Sequence, residues 1–282
     1  ICYSLCKADI VGFQTMADSR NFLSTISLLD LDAGIDWDNQ IVVMDGHKCT
    51  IKVYPMGINP DEVVKISESR RVREHQRALI DSATDISVVR IDRAEPSKNI
   101  VRSLKAFEIL LKDRKDLQEH VTFWAFIVPS RSHIRQYQRY LEEIRQEINR
   151  INTAYRTDIW TPVVAFIENN YLQAVAAMTF YDVLLVNTIS EGTNLIAQEG
   201  PLVNAKNGAM VLSNTSGVYP HLKDGVIGIS AADLQGTADA MGKAIELPSE
   251  DRRLKQRVLR EAIGRISLAN WLSKQFDDLL KV

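Results

Sequence analysis

From Asp85 onward the hydrophobic positions fall into short β-branched runs, each followed by a segment whose apolar residues recur at helical spacing. That alternation predicts a parallel sheet wound with helices. Strands are expected at Ile86 to Ile91, Val121 to Val128, Pro162 to Ile167, Val183 to Asn187 and Ala209 to Ser213. Nearly every position in them is apolar, as strands covered on both faces require. A shorter sixth run is Val226 to Ile229. Between the strands, Val101, Leu104, Phe107 and Leu111 form one helical stripe, and Ile134, Tyr137, Leu141, Ile144, Ile148 and Ile151 form the next. Both are read as core. Further helices are expected from about Asp233 through Ala244, from Glu250 to Ile263 and from Leu268 to Leu280, with Pro248 breaking the chain between the first two.

Residues 1 to about 80 are patterned differently. A strand is expected at Ile10 to Phe13, a helix after Asp18, a hairpin around Asp45-Gly46 and a strand at Ile51 to Tyr54. These are too few elements for a complete sheet domain, and Ile1 leads almost directly into the apolar segment Ala8 to Phe13, so a start in mid-domain is expected. Arg70 to Arg77, with Glu74 and His75, reads as a solvated helix face.

With 282 residues, 45% of them apolar and 25% charged, the chain can bury a full core. Its net charge of -2 is spread without a basic block, which argues against nucleic acid and against an anionic membrane surface as partners. No run reaches the length of a membrane helix and no signal peptide is visible, so a cytoplasmic location is expected. Cys2, Cys6 and Cys49 cannot build a disulfide framework, and no histidine stands beside Cys2 and Cys6 to complete a zinc site. They are read as structural thiols. The five histidines show no metal-ligand spacing.

Candidate chemistry sits in three loops, each at the carboxyl end of an expected strand, where an open α/β sheet binds its ligands. Arg93-Ala94-Glu95-Pro96-Ser97-Lys98-Asn99 follows the first of them. Arg93 offers a forked guanidinium and Lys98 a point charge, a pair suited to a diphosphate; a capped helix bearing two solvated charges fits the same residues. Glu191-Gly192-Thr193-Asn194-Leu195-Ile196-Ala197-Gln198-Glu199 follows Val183 to Asn187. Here Gly192 permits close backbone approach, Thr193 and Asn194 can open a helix, Glu199 can accept from both hydroxyls of a ribose and Glu191 from sugar hydroxyls. The alternative for Glu199 is a carboxylate buried against an arginine. Arg131, after Pro129-Ser130, can bind a phosphate or serve as an ordinary loop arginine.

Asp9-Ile10-Val11-Gly12-Phe13-Gln14-Thr15, Tyr54-Pro55-Met56-Gly57-Ile58, Arg93 to Asn99, Val128-Pro129-Ser130-Arg131 and Glu191 to Glu199 resemble, in order, successive motifs of the trehalose-6-phosphate synthase family. The resemblance spans essentially the whole chain. Its Glu-Pro-Ser-Lys-Asn wording, with Glu199 to Asn204, is similar to the branch that includes validoxylamine-phosphate synthase. The resemblance implies a Rossmann-like GT-B donor domain at 81–266, the C-terminal part of a truncated acceptor-binding domain at 1–80 and a crossing helix at 267–282. It implies a retaining transfer from a nucleoside-diphosphate sugar to a sugar phosphate, with no metal and no cofactor beyond the co-substrate. A homo-oligomer is compatible with it.

Carried over by motif, Arg93 and Lys98 would hold the donor diphosphate and act catalytically. Glu199 would hold the ribose, Glu191 with Gly192 and Thr193 the sugar, Asn194, Leu195 and Ile196 the phosphates through their backbone, and Arg131 the acceptor phosphate. The chain departs from the family in carrying Ser190-Glu191-Gly192-Thr193-Asn194 where Arg-Asp-Gly-Met-Asn is usual, and in lacking the His-Asp-Tyr-His-Leu and Pro-Phe-Pro-Ser segments. The longer Glu191 puts glucose as the transferred group in question, and the missing segments lead to the expectation that this stretch alone is inactive. Two rival expectations are a non-catalytic sensor or regulatory subunit for the same ligands, and an enzyme of the same branch with a cyclitol or glycerol phosphate acceptor.

Overall fold

A computed structural model of the chain describes residues 1–29 and 31–281. They divide into two compact units, Ile1–Asn59 with Arg265–Val282, and Pro60–Gly264. In chain order the smaller unit begins with α1 (Cys2–Leu5), β1 (Ile10–Phe13), α2 (Met16–Leu28), β2 (Ala33–Asp36), β3 (Ile41–Met44) and β4 (His47–Val53). The larger unit carries α3 (Pro60–Ser67), α4 (Arg70–Ile80), β5 (Ile86–Arg93), α5 (Ile100–Asp113), β6 (Val121–Val128), α6 (Arg135–Tyr155), β7 (Val163–Phe166) and α7 (Tyr171–Met178). It continues with β8 (Val183–Val186), α8 (Leu195–Val203), β9 (Ala209–Ser213), α9 (Tyr219–Leu222), β10 (Ile227–Ile229), α10 (Leu234–Glu246) and α11 (Ser249–Arg265). The last helix, α12 (Leu268–Leu279), belongs to the smaller unit.

In the larger unit six parallel strands run in the order β10-β9-β8-β5-β6-β7. Numbered along this unit, that is the doubly wound 3-2-1-4-5-6 arrangement, whose winding direction reverses between β5 and β8. Alternation along the strands divides the core. Val88, Phe123, Ala125 and Ile127 pack in one cluster with Leu104, Phe107, Ile144 and Met241 from α5, α6 and α10. On β6, Trp124 takes the opposite parity and meets Phe166 in a stacked pair at 6.5 Å and Phe180 edge-on at 6.2 Å. Burial on both faces accounts for the near-continuous apolar runs by which these strands were legible.

The division between units falls after Asn59 rather than near residue 80. α3 and α4 pack on α7 and α8, burying Val63, Val72 and Leu79, and Gln76 donates to Thr179 Oγ1 at 2.7 Å. β5 extends past the expected end to Arg93, while α1, β2, α3, α7 and α9 were not foreseen.

In the smaller unit the sheet order is β1-β4-β3-β2, with β1 parallel to β4 and the other pairs antiparallel. The β3–β4 hairpin turns at Asp45 (φ 52°) and Gly46 (φ 77°), the two left-handed positions a tight primed turn requires. Leu23, Ile26, Val42, Cys49 and Ile51 form its core, and all three cysteines are free thiols. Burial pushes the Cys49 thiol up to about 11, which suits a packing role over a reactive one. α12 is tied to the segment after β4 by the Tyr54 hydroxyl donating to Asp278 at 3.0 Å and by Leu268 N donating to Ile58 O at 3.0 Å. At Gly57 a Cβ would lie 1.3 Å from the Ile266 carbonyl oxygen, so two backbones cross there with no room for a side chain. Among the described residues no helix is long and apolar enough to cross a membrane.

Candidate functional site

The reversal between β5 and β8 brings two loops together at the carboxyl ends of those strands, and the sequence between them is built to hold them there. Asn99 sits in the left-handed region (φ 61°) at the start of α5. Its amide donates to Asn187 O at 3.0 Å and to Ala231 O at 2.7 Å, while Ile189 N donates to Ser97 O at 2.8 Å. Beneath the loops, the buried Arg90 guanidinium donates to Ser103 Oγ, Asn187 Oδ1 and the Lys98 carbonyl and pairs with Asp92 at 2.8 Å. Burial pushes the Asp92 carboxyl up to about 6, against the opposing pull of Arg90 and Lys98.

The Lys98 ammonium forms an ion pair with Glu191 Oε2 and lies 3.8 Å from Asp92 Oδ1. Glu191 is held firmly on its other oxygen. Oε1 accepts from Thr188 Oγ1 at 2.8 Å, Asn194 Nδ2 at 2.8 Å and Ser216 Oγ at 3.3 Å. Arg93 is more exposed and pairs with Glu95 at 2.9 Å, a carboxylate that also accepts from Ser130 Oγ at 2.9 Å.

α8 opens on Asn194, whose side chain caps it by accepting from Ala197 N at 2.8 Å. The amides of Leu195 and Ile196, in its first turn, have no carbonyl partner within the helix. One turn on, Glu199 is buried at 8% exposure, and its Oε2 has no hydrogen-bond partner among the described residues. Burial pushes this carboxyl up to about 7, with only the Tyr171 hydroxyl bonding in the opposite direction; Tyr171 itself is pushed up to about 12.

A cavity of about 440 Å³ opens over these loops. Arg93 and Lys98 line it together with Thr193, Asn194, Leu195, Ile196 and Glu199. Glu191 and Gly192 are not on its lining, and Glu191 stands behind Lys98 instead. Arg131 is not on it either. It adopts a left-handed φ of 46° and places its guanidinium 5.2 Å from the centre of the Tyr137 ring, donating to the Tyr137 hydroxyl at 2.5 Å.

The cavity also takes in residues the sequence reading passed over: Asp92, Phe126, Phe166, Tyr171 and the segment 168–170. Phe126 and Phe166 stack at 5.1 Å with their planes 12° apart. Asp92 could have been noticed as a charge that, with Arg90, interrupts the apolar run of β5 ahead of Arg93. Chemically, the arrangement offers two cations and a helix N-terminus to a polyphosphate, a carboxyl with an unpartnered oxygen to a pair of hydroxyls, and an aromatic wall to a flat ring.

The model of glycosyltransferase family 20 matches residues 1–281. Trehalose-6-phosphate synthase of Sodalis glossinidius is 26% identical over 282 residues, 99% of this chain and 59% of that protein. Among solved structures, the alpha,alpha-trehalose-phosphate synthase (UDP-forming) from Burkholderia vietnamiensis is 26% identical with a TM-score of 0.92, over 99% of this chain and 63% of that one. A Burkholderia xenovorans enzyme of the same description, in complex with glucose-6-phosphate, is 25% identical with a TM-score of 0.90, over 99% and 62% of the two chains. The chain thus spans about three fifths of the length of these relatives. With a family match running from residue 1 to residue 281 and a fold in common with these structures, this chain belongs to glycosyltransferase family 20.

Proposed function

We propose that the larger unit binds the nucleoside-diphosphate sugar of a retaining transfer to a sugar phosphate, the reaction that yields trehalose 6-phosphate when both sugars are glucose. The observation that carries the reading is the meeting of Arg93, Lys98 and Glu199 on one cavity at the strand-order reversal of a doubly wound sheet. In this reading the diphosphate lies against Arg93, Lys98 and the first-turn amides of α8 at Asn194, Leu195 and Ile196. Glu199 accepts from the ribose hydroxyls, which supplies the donors that its unpartnered Oε2 lacks. The sugar sits toward Gly192 and Thr193, and the base along Phe126 and Phe166.

Transfer breaks the bond between the anomeric carbon and the diphosphate oxygen and forms the bond to the acceptor hydroxyl on the same face. The proton of that hydroxyl passes to the leaving oxygen. No protein nucleophile or base is required, so the chain contributes orientation and compensation of the charge that grows on the diphosphate. Arg131 is assigned to the phosphate of the acceptor, and the smaller unit to the acceptor side. The relatives' printed names, which include UDP-forming synthases and one structure with glucose-6-phosphate, support this choice of substrates.

The test is to measure product mass after incubation with a panel of nucleotide sugars and glucose 6-phosphate, together with calorimetric binding of each donor. Donor dissociation constants on the order of 1 µM to 1 mM are expected. Replacing Arg93 or Lys98 with alanine should lower the transfer rate about 10²- to 10³-fold. Absence of binding by every donor sinks the reading, and binding without turnover would favour a sensor or regulatory subunit.

A further inference from the structure

Both cations of the cavity already have carboxylate partners. Arg93 is paired with Glu95 at 2.9 Å, and Lys98 with Glu191, their side chains only 13% and 10% exposed. Behind them Arg90 and Asp92 form a second buried pair, so the line Arg90, Asp92, Lys98, Glu191 alternates in sign and carries no net charge. A diphosphate arriving there competes with carboxylates already in place.

The two partners of the Lys98–Glu191 pair differ in how firmly they are held. Glu191 has three neutral donors, Thr188, Asn194 and Ser216, on Oε1, and its backbone carbonyl accepts from Gly217 N at 2.9 Å. The Lys98 ammonium sits at the end of a flexible four-carbon stem and, among the described residues, is held by the two carboxylates. When the pair opens, Lys98 is the group that moves.

We infer that Glu191 is a placeholder for the donor's phosphate: its Oε2 holds the Lys98 ammonium, yields it to an arriving diphosphate, and is thereby freed to accept from a hydroxyl of the transferred sugar. The inference rests on the proposed reading of the cavity and adds a specificity element to it. Free nucleoside diphosphate must break the pair and leaves Oε2 buried with no donor. A nucleotide sugar supplies the replacement hydrogen bond, so the site discriminates in favour of the intact donor. An aspartate at 191, one methylene shorter, reaches less far toward Lys98 and weakens this coupling.

The test is calorimetric binding of UDP, GDP, UDP-glucose and GDP-glucose to the 282-residue chain and to Glu191→Gln, Glu191→Asp, Lys98→Ala and the Glu191→Gln/Lys98→Ala double variant. Glu191→Gln should tighten binding of the free diphosphate about tenfold, as expected for losing one close competing charge, and Glu191→Asp by a smaller factor. The gain should be smaller for the nucleotide sugar than for the diphosphate, and it should vanish when Lys98 is already alanine, which a merely structural role for Glu191 does not predict. Should Glu191→Gln fail to give a cooperative thermal melt, Glu191→Asp carries the same comparison. Unchanged or weaker diphosphate binding in the folded variants, an equal gain for both ligands, or a gain that persists without Lys98 overturns the inference. Binding of neither diphosphate to the unmodified chain overturns the reading of the cavity itself, a result distinct from the others.

Discussion

Two glutamates eight residues apart frame the loop between β8 and the first turns of α8, and they are treated in opposite ways. Glu191 is saturated, with three neutral donors on one oxygen and an ammonium on the other. Glu199 is equally inaccessible but has an oxygen without a partner, and burial raises its carboxyl to about 7. Full satisfaction means that a substrate reaches Glu191 only by displacing one of the chain's own groups from it. An orphaned buried oxygen is expensive, and a fold that keeps one beside a cavity has left a position for something that donates hydrogen bonds. Partnership, more than burial or sequence proximity, therefore separates a carboxylate that a substrate must first uncover from one that awaits it directly.

The strongest way to break this contrast is to remove the partner at the base of the saturated network. Arg90→Met keeps the length of the side chain but strips Asp92 of its nearest cation, takes from the Lys98 carbonyl its guanidinium donor, and leaves Asn187 Oδ1 with Ser103 Oγ at 2.6 Å. A buried carboxylate stranded in this way costs about 3–5 kcal/mol, so urea denaturation should show a loss of that size. If the network is organised as described, Asp92→Asn in the Arg90→Met background should recover part of it. A loss below about 1 kcal/mol would mean that water reaches Asp92 and that this network is no more than a surface pairing.

A weaker but cleaner effect is expected at the orphaned end. A carboxyl whose pKa is raised from 4.5 unfolded to about 7 folded binds its proton more tightly in the folded state. Its contribution to stability is then complete below about pH 4.5 and is lost as pH rises through about 7. The change is up to about 3 kcal/mol for a group this buried. Asp92, raised to about 6, works in the same direction over a lower interval and is common to both proteins compared. Glu199→Gln should therefore be at least as stable as the parent at pH 8 and lose that advantage at pH 5, as read from melting temperatures. Glu199→Ala should weaken nucleoside diphosphate binding about tenfold, the value of a hydrogen bond to a charged acceptor. A parent whose stability is flat from pH 5 to 8 would show that Glu199 is solvated, and the contrast with Glu191 would disappear.

The fold was legible where burial writes itself into sequence and obscure where it does not. β5, β6 and β9 are covered on both faces, and their apolar runs gave their positions nearly to the residue. The helix α7 was invisible because Ala174 to Met178 are buried on every side, which leaves no stripe of helical period to find. The strand β2 pairs on one side only, at the edge of its sheet, and its four residues alternate too briefly to stand out. At the site, that Arg93, Lys98 and Glu199 meet on one cavity was readable from two loops expected at the carboxyl ends of parallel strands together with the family motifs they resemble. Tyr171 was not, since its approach to Glu199 depends on how α7 packs against α8. The saturation of Glu191 was equally hidden, for it takes donors from three separate segments, at 98, at 188–194 and at 216.

Arg131 supplies the smallest effect and the sharpest control, because it is a charged group that has a partner but is neither buried nor on the donor cavity. Its guanidinium rests over Tyr137 and is exposed, an arrangement worth about 0.5–1 kcal/mol. Its backbone is held at a φ of 46°, a conformation that costs any residue other than glycine a comparable amount. Arg131→Gly removes the stacking and relieves the backbone together, so the melting temperature should scarcely move. Binding of UDP should stay the same, since no atom of the donor cavity changes. If the guanidinium holds the acceptor's phosphate, as proposed, the KM for the sugar phosphate alone should rise, with donor affinity untouched. A loss of donor affinity in this variant would mean that the loop 129–131 communicates with Arg93 through the Ser130–Glu95 hydrogen bond. Partnership in this molecule would then transmit binding as well as position charge.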